Sequence, residues 1–206
     1  MLKLSAAIFL MISMPPCVAQ DAYWPPACVV EEMNLPTSTD GALEVRVWLG
    51  AGLARPYTLY RVRQTPEGVS GSRIAWTDRS HLFNALYTEK SARRQTSRDR
   101  RFLEKHYCEA ETTQSANVMW CDWPIDREVL WDVLLDDLLP EQLWTLPAKI
   151  PRDCGGAMED GEAVGIEVIQ GNRRHAVTYG NPDFCCADVA CAIANHVRQV
   201  LRAGTR

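Results

Sequence analysis

An α+β fold is predicted by three features of this 206-residue chain. Strand-like alternation recurs in three separate stretches, two helical apolar stripes follow strands, and cysteines are frequent enough to staple one domain. The expected arrangement is a set of antiparallel strands packed with three or so helices. The strands form an N-terminal meander, a middle hairpin and a C-terminal hairpin.

Residues 1–19 read as a signal peptide. Lys3 supplies the charged head, Ala6–Ile12 a short apolar run, and Met14-Pro15-Pro16 ends it before the small residues of Cys17-Val18-Ala19, with cleavage expected after Ala19. The run is far shorter than the roughly 20 residues a membrane span requires. Met14-Pro15-Pro16 is a poor match to the small-residue site that would precede a lipidated Cys17. Residues 20–40 read as an extended arm, because Tyr23-Trp24-Pro25-Pro26 and Leu35-Pro36 disfavour helix, with a short strand expected at Cys28–Val30. Residues 41–202 are expected to form a single globular domain, and residues 203–206 a frayed tail.

The domain opens with Leu43, Val45, Val47 and Leu49 alternating with Glu44, Arg46 and Trp48, the period of a half-buried strand. After a turn over Gly50–Pro56, Tyr57–Arg63 gives a second strand. A loop over Pro66–Gly71 leads to a third, beginning at Arg73–Trp76. Arg46, Arg61 and Arg63 lie on the polar face of this meander, which is expected to meet water, with an anion-binding face as the sharper alternative. Asp78 is placed to cap a helix running to about Thr88 with His81, Leu82, Ala85 and Leu86 inward.

Two charge blocks follow. Glu89–Lys105 is basic (Lys90, Arg93, Arg94, Arg98, Arg100, Arg101 and Lys105), and reads as a solvated helix or loop. Asp122–Glu141 is acidic, with Asp132, Asp136 and Asp137 on a helix starting near Asp126 and ended by Pro140. The expected inward stripe of that helix is Val129, Leu130, Val133, Leu134 and Leu138. Between the blocks, Tyr107–Thr112 and Val118–Trp123 read as strands around Gln114–Asn117. The two blocks either face one another or mark partner surfaces, and Asp132, Asp136, Asp137, Arg93, Arg94 and Arg98 are the candidate surface residues.

The C-terminal stretch is the most orderly. Val164–Gln170 and Arg173–Tyr179 are two strands joined at Gly171-Asn172, with glycine first as a type II′ turn requires. Counting back from that turn pairs Val168 with His175, Ile166 with Val177 and Val164 with Tyr179, all on one face. A helix from about Ala187 is expected to bury Val189, Ile193, Val197 and Val200.

With the leader removed, the chain keeps Cys28, Cys108, Cys121, Cys154, Cys185, Cys186 and Cys191. In an oxidising compartment most of these should be disulfide-bonded. Cys108 with Cys121 is the expected local staple; Cys154 is expected to reach Cys185 or Cys186, and Cys28 to pin the arm. Cys191 is left as a free or intermolecular thiol, since the number is odd. Cys185-Cys186, Cys191 and His196 contain the residue types of a metal site without its C-x₂₋₄-C knuckle, so no metal is assigned.

No G-x-S-x-G, H-E-x-x-H or P-loop pattern occurs, and no catalytic residue or cofactor is assigned. A formal net charge of −4 argues against nucleic acid as partner. The expectation is an exported, periplasmic or secreted, binding protein, of inhibitor, immunity or envelope-accessory type, whose partner is another protein. The alternatives are a hydrolase with a dispersed active site and a structural envelope protein.

Overall fold

The computed structural model describes residues 25, 27–51, 54–78, 89–108, 112–115, 118–123, 130–148, 162–180 and 189–203. Their strands are β1 (Leu43–Ala51), β2 (Ala54–Thr65), β3 (Gly68–Asp78), β4 (Thr113–Gln114), β5 (Val118–Asp122), β6 (Glu162–Gln170) and β7 (Arg173–Gly180). Their helices are α1 (Ala27–Glu32), α2 (Glu89–His106), α3 (Trp131–Asp137), α4 (Pro140–Leu143) and α5 (Val189–Ala203). The three sequence-predicted strand groups merge into one seven-stranded sheet of order β4-β5-β3-β2-β1-β6-β7. Every neighbouring pair is antiparallel.

The C-terminal hairpin has the register counted from its turn: Val168 opposite His175, Ile166 opposite Val177 and Val164 opposite Tyr179. Gly171 takes φ +58° while Asn172 stays out of the positive-φ region, as a glycine-first turn demands. Its long-range partner, β1, could not be read from local pattern. β6 runs the whole length of β1, from Leu43 opposite Gln170 to Ala51 opposite Glu162. That pairing makes β1 a central strand.

The position of β1 changes the fate of the meander's polar face. One side of the sheet packs Val45, Val47, Tyr60, Val62, Val164, Ile166, Val168 and Val177 against Leu134, Leu135, Leu138 and Leu143 of the α3–α4 segment and Ala190, Ala194, Val197 and Leu201 of α5. The other side is also dry. Trp48, Leu59, Ile74, Trp76 and Val118 lie under Val29, Val30, Met33 and Leu35. The expectation of a water-facing surface at Arg46 and Arg61 is therefore corrected: Arg46 is fully buried and Arg61 largely so. Only Arg63 is exposed.

The cover on that side comes from the arm, which is not wholly extended. Cys28–Val30 belongs to α1 rather than to a strand. The helix ends at Asn34, in the left-handed region at φ +52°. Leu35 N–H donates to Val30 O at 3.1 Å and Asn34 N–H to Glu31 O at 2.9 Å, a Schellman closure that also brings Leu35 back over Val30. Beyond it the arm crosses the sheet as a strap. Thr39 N–H donates to Gly171 O at 3.0 Å, and Gly171 N–H returns a bond to Thr39 Oγ1 at 2.9 Å. At the opposite end, Ser115 Oγ donates to Glu32 Oε2 beside the β4–β5 turn.

Four further expectations are revised. The loop placed over Pro66–Gly71 shrinks to Pro66-Glu67, since β3 already begins at Gly68. Of the strand expected at Tyr107–Thr112, Tyr107 and Cys108 follow the end of α2 and Thr112 is not in a strand, residues 109–111 lie outside the described residues, and Thr113 and Gln114 form the short edge strand β4 beside β5. The stripe of α3 is rotated: Leu134, Leu135 and Leu138 are buried, while Leu130 and Val133 are 65% and 49% exposed. In α5 the buried line is Ala190, Ala194, Val197 and Leu201, leaving Val189 74% exposed. In both helices the side facing the sheet is chosen by fit. Small alanines let α5 approach closely, and Trp131 of α3 occupies a gap that only glycine leaves. The helix expected at 78–88 falls outside the described residues, apart from Asp78, which ends β3.

That gap is at Gly71 on β3, where an added Cβ would stand 2.2 Å from the indole of Trp131. A real side chain there must push the ring, and α3 with it, off the sheet. Gly71→Ala is expected to cost about 1–3 kcal/mol, the range for overpacking a dense site. The checks are urea unfolding and a shift in tryptophan emission. An unchanged midpoint would show that Trp131 does not anchor α3.

Candidate functional site

The side of the sheet under the strap holds an ion cluster built from four strands, β1, β2, β6 and β7. Arg46 Nε lies 2.6 Å from Glu44 Oε1, and Arg46 Nη1 lies 3.3 Å from Glu167 Oε2 on β6. Arg46 Nη2 donates to the carbonyl of Pro36 in the strap. Arg61 donates to both oxygens of Glu44, at 3.2 and 3.3 Å. Arg174 Nη2 and Trp48 Nε1 both donate to Glu167. Glu44, Arg46 and Glu167 are all fully buried. Burial alone would raise the pKa of Glu44, but the charges and hydrogen bonds of Arg46 and Arg61 outweigh it and hold the carboxyl below its usual range.

Two of the three arginines that suggested an anion site, Arg46 and Arg61, thus have their anions inside the fold. The cluster is closed by the strap and fastens it. Because the folded pKa of Glu44 lies below the unfolded one, its stabilisation is fully present above the unfolded carboxylate value of about 4.3. It is lost as pH falls through the lower folded value. Acid unfolding should therefore steepen below about pH 4. Glu44→Gln should flatten that limb while costing about 3–5 kcal/mol at pH 7, because it leaves the arginines underpaired in a buried site. Denaturant midpoints at pH 3, 5 and 7 decide it; parallel curves for the two proteins would refute the linkage.

The exposed residues are elsewhere. Asp132, Asp136 and Asp137 all lie on the open side of α3, interleaved with Leu130 and Val133. Leu139 follows at φ +50°, also exposed, and Pro140 starts α4 as its first residue. Asp132 stands in the first turn of α3, where the helix dipole favours it. Asp136 and Asp137 stand in the last turn, where it does not, and no basic residue is there to offset them. His196 of α5 bonds through Nε2 to the carbonyl of Asp137 at 2.8 Å.

Of the basic candidates, Arg98 is an exposed residue of α2; the side chains of Arg93 and Arg94, also in α2, are outside the described set. Among the described residues no ion pair joins α2 to α3, so the two blocks are not shown to face one another. Phe102 is exposed on α2 and leans on His106 and Tyr107, with ring centroids 4.9 and 5.6 Å away.

Cys108 and Cys121 are joined, tying the end of α2 to β5 with Cα atoms 5.4 Å apart. For a loop of that size a disulfide contributes about 3 kcal/mol. Cys28 is also disulfide-bonded, to a cysteine outside the described side chains. Cys154, Cys185 and Cys186 lie outside the described residues, as does the side chain of Cys191.

The remaining titratable candidates have structural duties. His175 Nε2 meets Leu146 O at 2.7 Å and Tyr179 OH donates to Pro147 O at 2.8 Å, seating the segment after α4 against β7. Among the described residues no group of three His, Cys, Asp or Glu side chains is placed to hold a metal ion. No helix among them is long and apolar enough to cross a membrane.

The chain matches no family model, no curated protein and no solved structure. Two features were missed in the sequence. One is the buried cluster, whose only local signal was Glu44 and Arg46 sharing a strand face with Trp48. The other is Arg73, treated as a strand residue only.

Proposed function

We propose that this chain is an exported, disulfide-stabilised binding protein, of the inhibitor, immunity or envelope-accessory kind, that docks another protein through the outer face of α3. The observation that carries the reading is the joint exposure of Leu130 and Val133 with Asp132, Asp136 and Asp137. Apolar side chains there gain nothing by folding, and two of the acids oppose the helix dipole. Features that cost stability at a surface are what a binding site retains. An apolar centre rimmed by acids suits a partner with an apolar knob rimmed by lysine or arginine. The rim would govern encounter rate and salt dependence more than residence time. Export is supported by the leader-like first residues and by the Cys108–Cys121 bond, which persists in oxidising compartments.

Leu130→Ser with Val133→Ser is expected to weaken partner capture from envelope extracts by tenfold or more. Asp132→Lys with Asp136→Lys and Asp137→Lys should slow association and reverse its salt dependence. Both sets sit on the surface and should move stability by no more than about 0.5 kcal/mol per site. Unaltered capture by both variants would refute docking through α3.

Export is tested separately by the intact mass of protein recovered from its host, before and after reduction. Loss of residues 1–19 with most cysteines bonded is expected. An uncleaved, fully reduced chain would overturn this localisation.

A further inference from the structure

We propose that Arg73 is a receptor for a carboxylate group, independently of the reading given for the outer face of α3. Arg73 lies on β3 opposite Tyr60 of β2. Its guanidinium sits over the Trp123 ring, 3.2 Å from the centroid, and 5.6 Å from the centroid of Tyr60. Trp123 is held in place from two sides. Its N–H donates to Arg73 O at 2.8 Å, and Tyr107 meets its ring edge-on at 4.5 Å. The Cys108–Cys121 bond ties the residue after Tyr107 to the strand that ends just before Trp123. This is a rigid aromatic bracket around one cation.

Among the described residues the cation has no anion. No ion pair or hydrogen bond engages its guanidinium among the described residues, and Nε is buried without an acceptor. Burial lowers the pKa of Arg73, and the Tyr60 and Tyr107 phenols only partly offset this. Ring stacking offsets some of the lost hydration, by about 0.5–2 kcal/mol. It supplies no acceptor for the N–H donors.

The ligand chemistry follows from the bracket. One guanidinium presents a planar fork that matches a planar, singly charged carboxylate in a bidentate pair. A phosphate or sulfate dianion calls for a second charge or a nest of backbone amides, and neither stands beside Arg73 among the described residues. Flat aromatic walls fit the flat carboxylate pair. The exposed Arg98, Arg101 and Lys105 lie on α2, the helix that leads into Tyr107, and add a positive field that draws anions to this end of the sheet.

The test follows the Arg73 Nε–H and Trp123 indole N–H signals by NMR in the full-length, disulfide-bonded, ¹⁵N-labelled protein. Arg73→Lys and Trp123→Phe provide the assignments. Sodium acetate and a short amidated oligoglutamate peptide are titrated against sodium chloride and sodium sulfate at matched ionic strength. Saturable shifts with acetate and peptide alike would mark a receptor for small carboxylates. Saturation with the peptide alone would mark an acidic segment of a protein. Either supports the proposal. Shifts no larger than those from chloride, or equal shifts with sulfate, would overturn it. Arg73→Lys keeps the charge and loses the fork, so about tenfold weaker binding is expected, the size of one charge-assisted hydrogen bond. Full affinity in that variant, shown by thermal melting to be folded, would also overturn it.

Discussion

The buried pairing of Arg46 with Glu44 and Glu167 is the constraint on which the two-sided sheet depends. A sheet covered on both faces has no place for a strand's polar side unless its charges are satisfied internally. Here the central strand brings an acid and a base two residues apart, and its neighbour β6 brings the second acid directly across from Arg46. The remaining donor of Arg46 reaches Pro36 in the strap. The cluster can therefore be complete only when β1, β6 and the N-terminal strap are all in place. Its net contribution to stability against an apolar core is small in general, since desolvation offsets much of the Coulomb gain. What it supplies is selectivity of arrangement. A strap shifted along the sheet would leave a buried guanidinium N–H without its carbonyl.

The strap in turn decides which surfaces remain for function. It covers the sheet from the β4–β5 turn, at Ser115, to the β6–β7 turn, at Gly171. The helices cover the other face with α3, α4 and α5 over its centre and α2 over β5. Free sheet surface is thereby removed as a docking option. The sheet's own edges are short at β4 and charged at β7 by Arg173 and Arg174, which discourages strand addition by another chain. Recognition is left to helix faces and to the seams where helices end on strands.

Much of the fold was legible where it depends on local chemistry. The glycine-first turn set the register of β6 and β7 by counting alone, and alternation located β1 and most of β2. The Cys108–Cys121 bond followed from two nearby segments closing on one another. Legibility failed where the deciding contact is distant in sequence. Arg46 reads as solvent-facing until β6 is known to lie beside it, more than a hundred residues later. The helical stripes were misplaced for a related reason. Periodicity gives the spacing of apolar residues, but the choice between Leu130 with Val133 and Trp131 with Leu135 depends on Gly71, on another element. The misplacement is informative, because the apolar residues it left over are those now exposed on α3.

Arg46 and Arg73 show how one residue type on one sheet meets two fates. Both are strand arginines, and both lose hydration on folding. Arg46 is repaid with two carboxylates and a carbonyl. Arg73 receives two aromatic rings, and its Nε has no acceptor among the described residues. If packing were the sole role at position 73, an apolar side chain of similar length would fill the bracket without the desolvation cost. The same fold that closed one guanidinium with carboxylates gave the other aromatic rings and left its Nε without an acceptor among the described residues. That asymmetry within a single sheet is the argument for the proposed carboxylate ligand of Arg73: none of the described residues supplies the acceptor that Arg46 finds in Glu44 and Glu167.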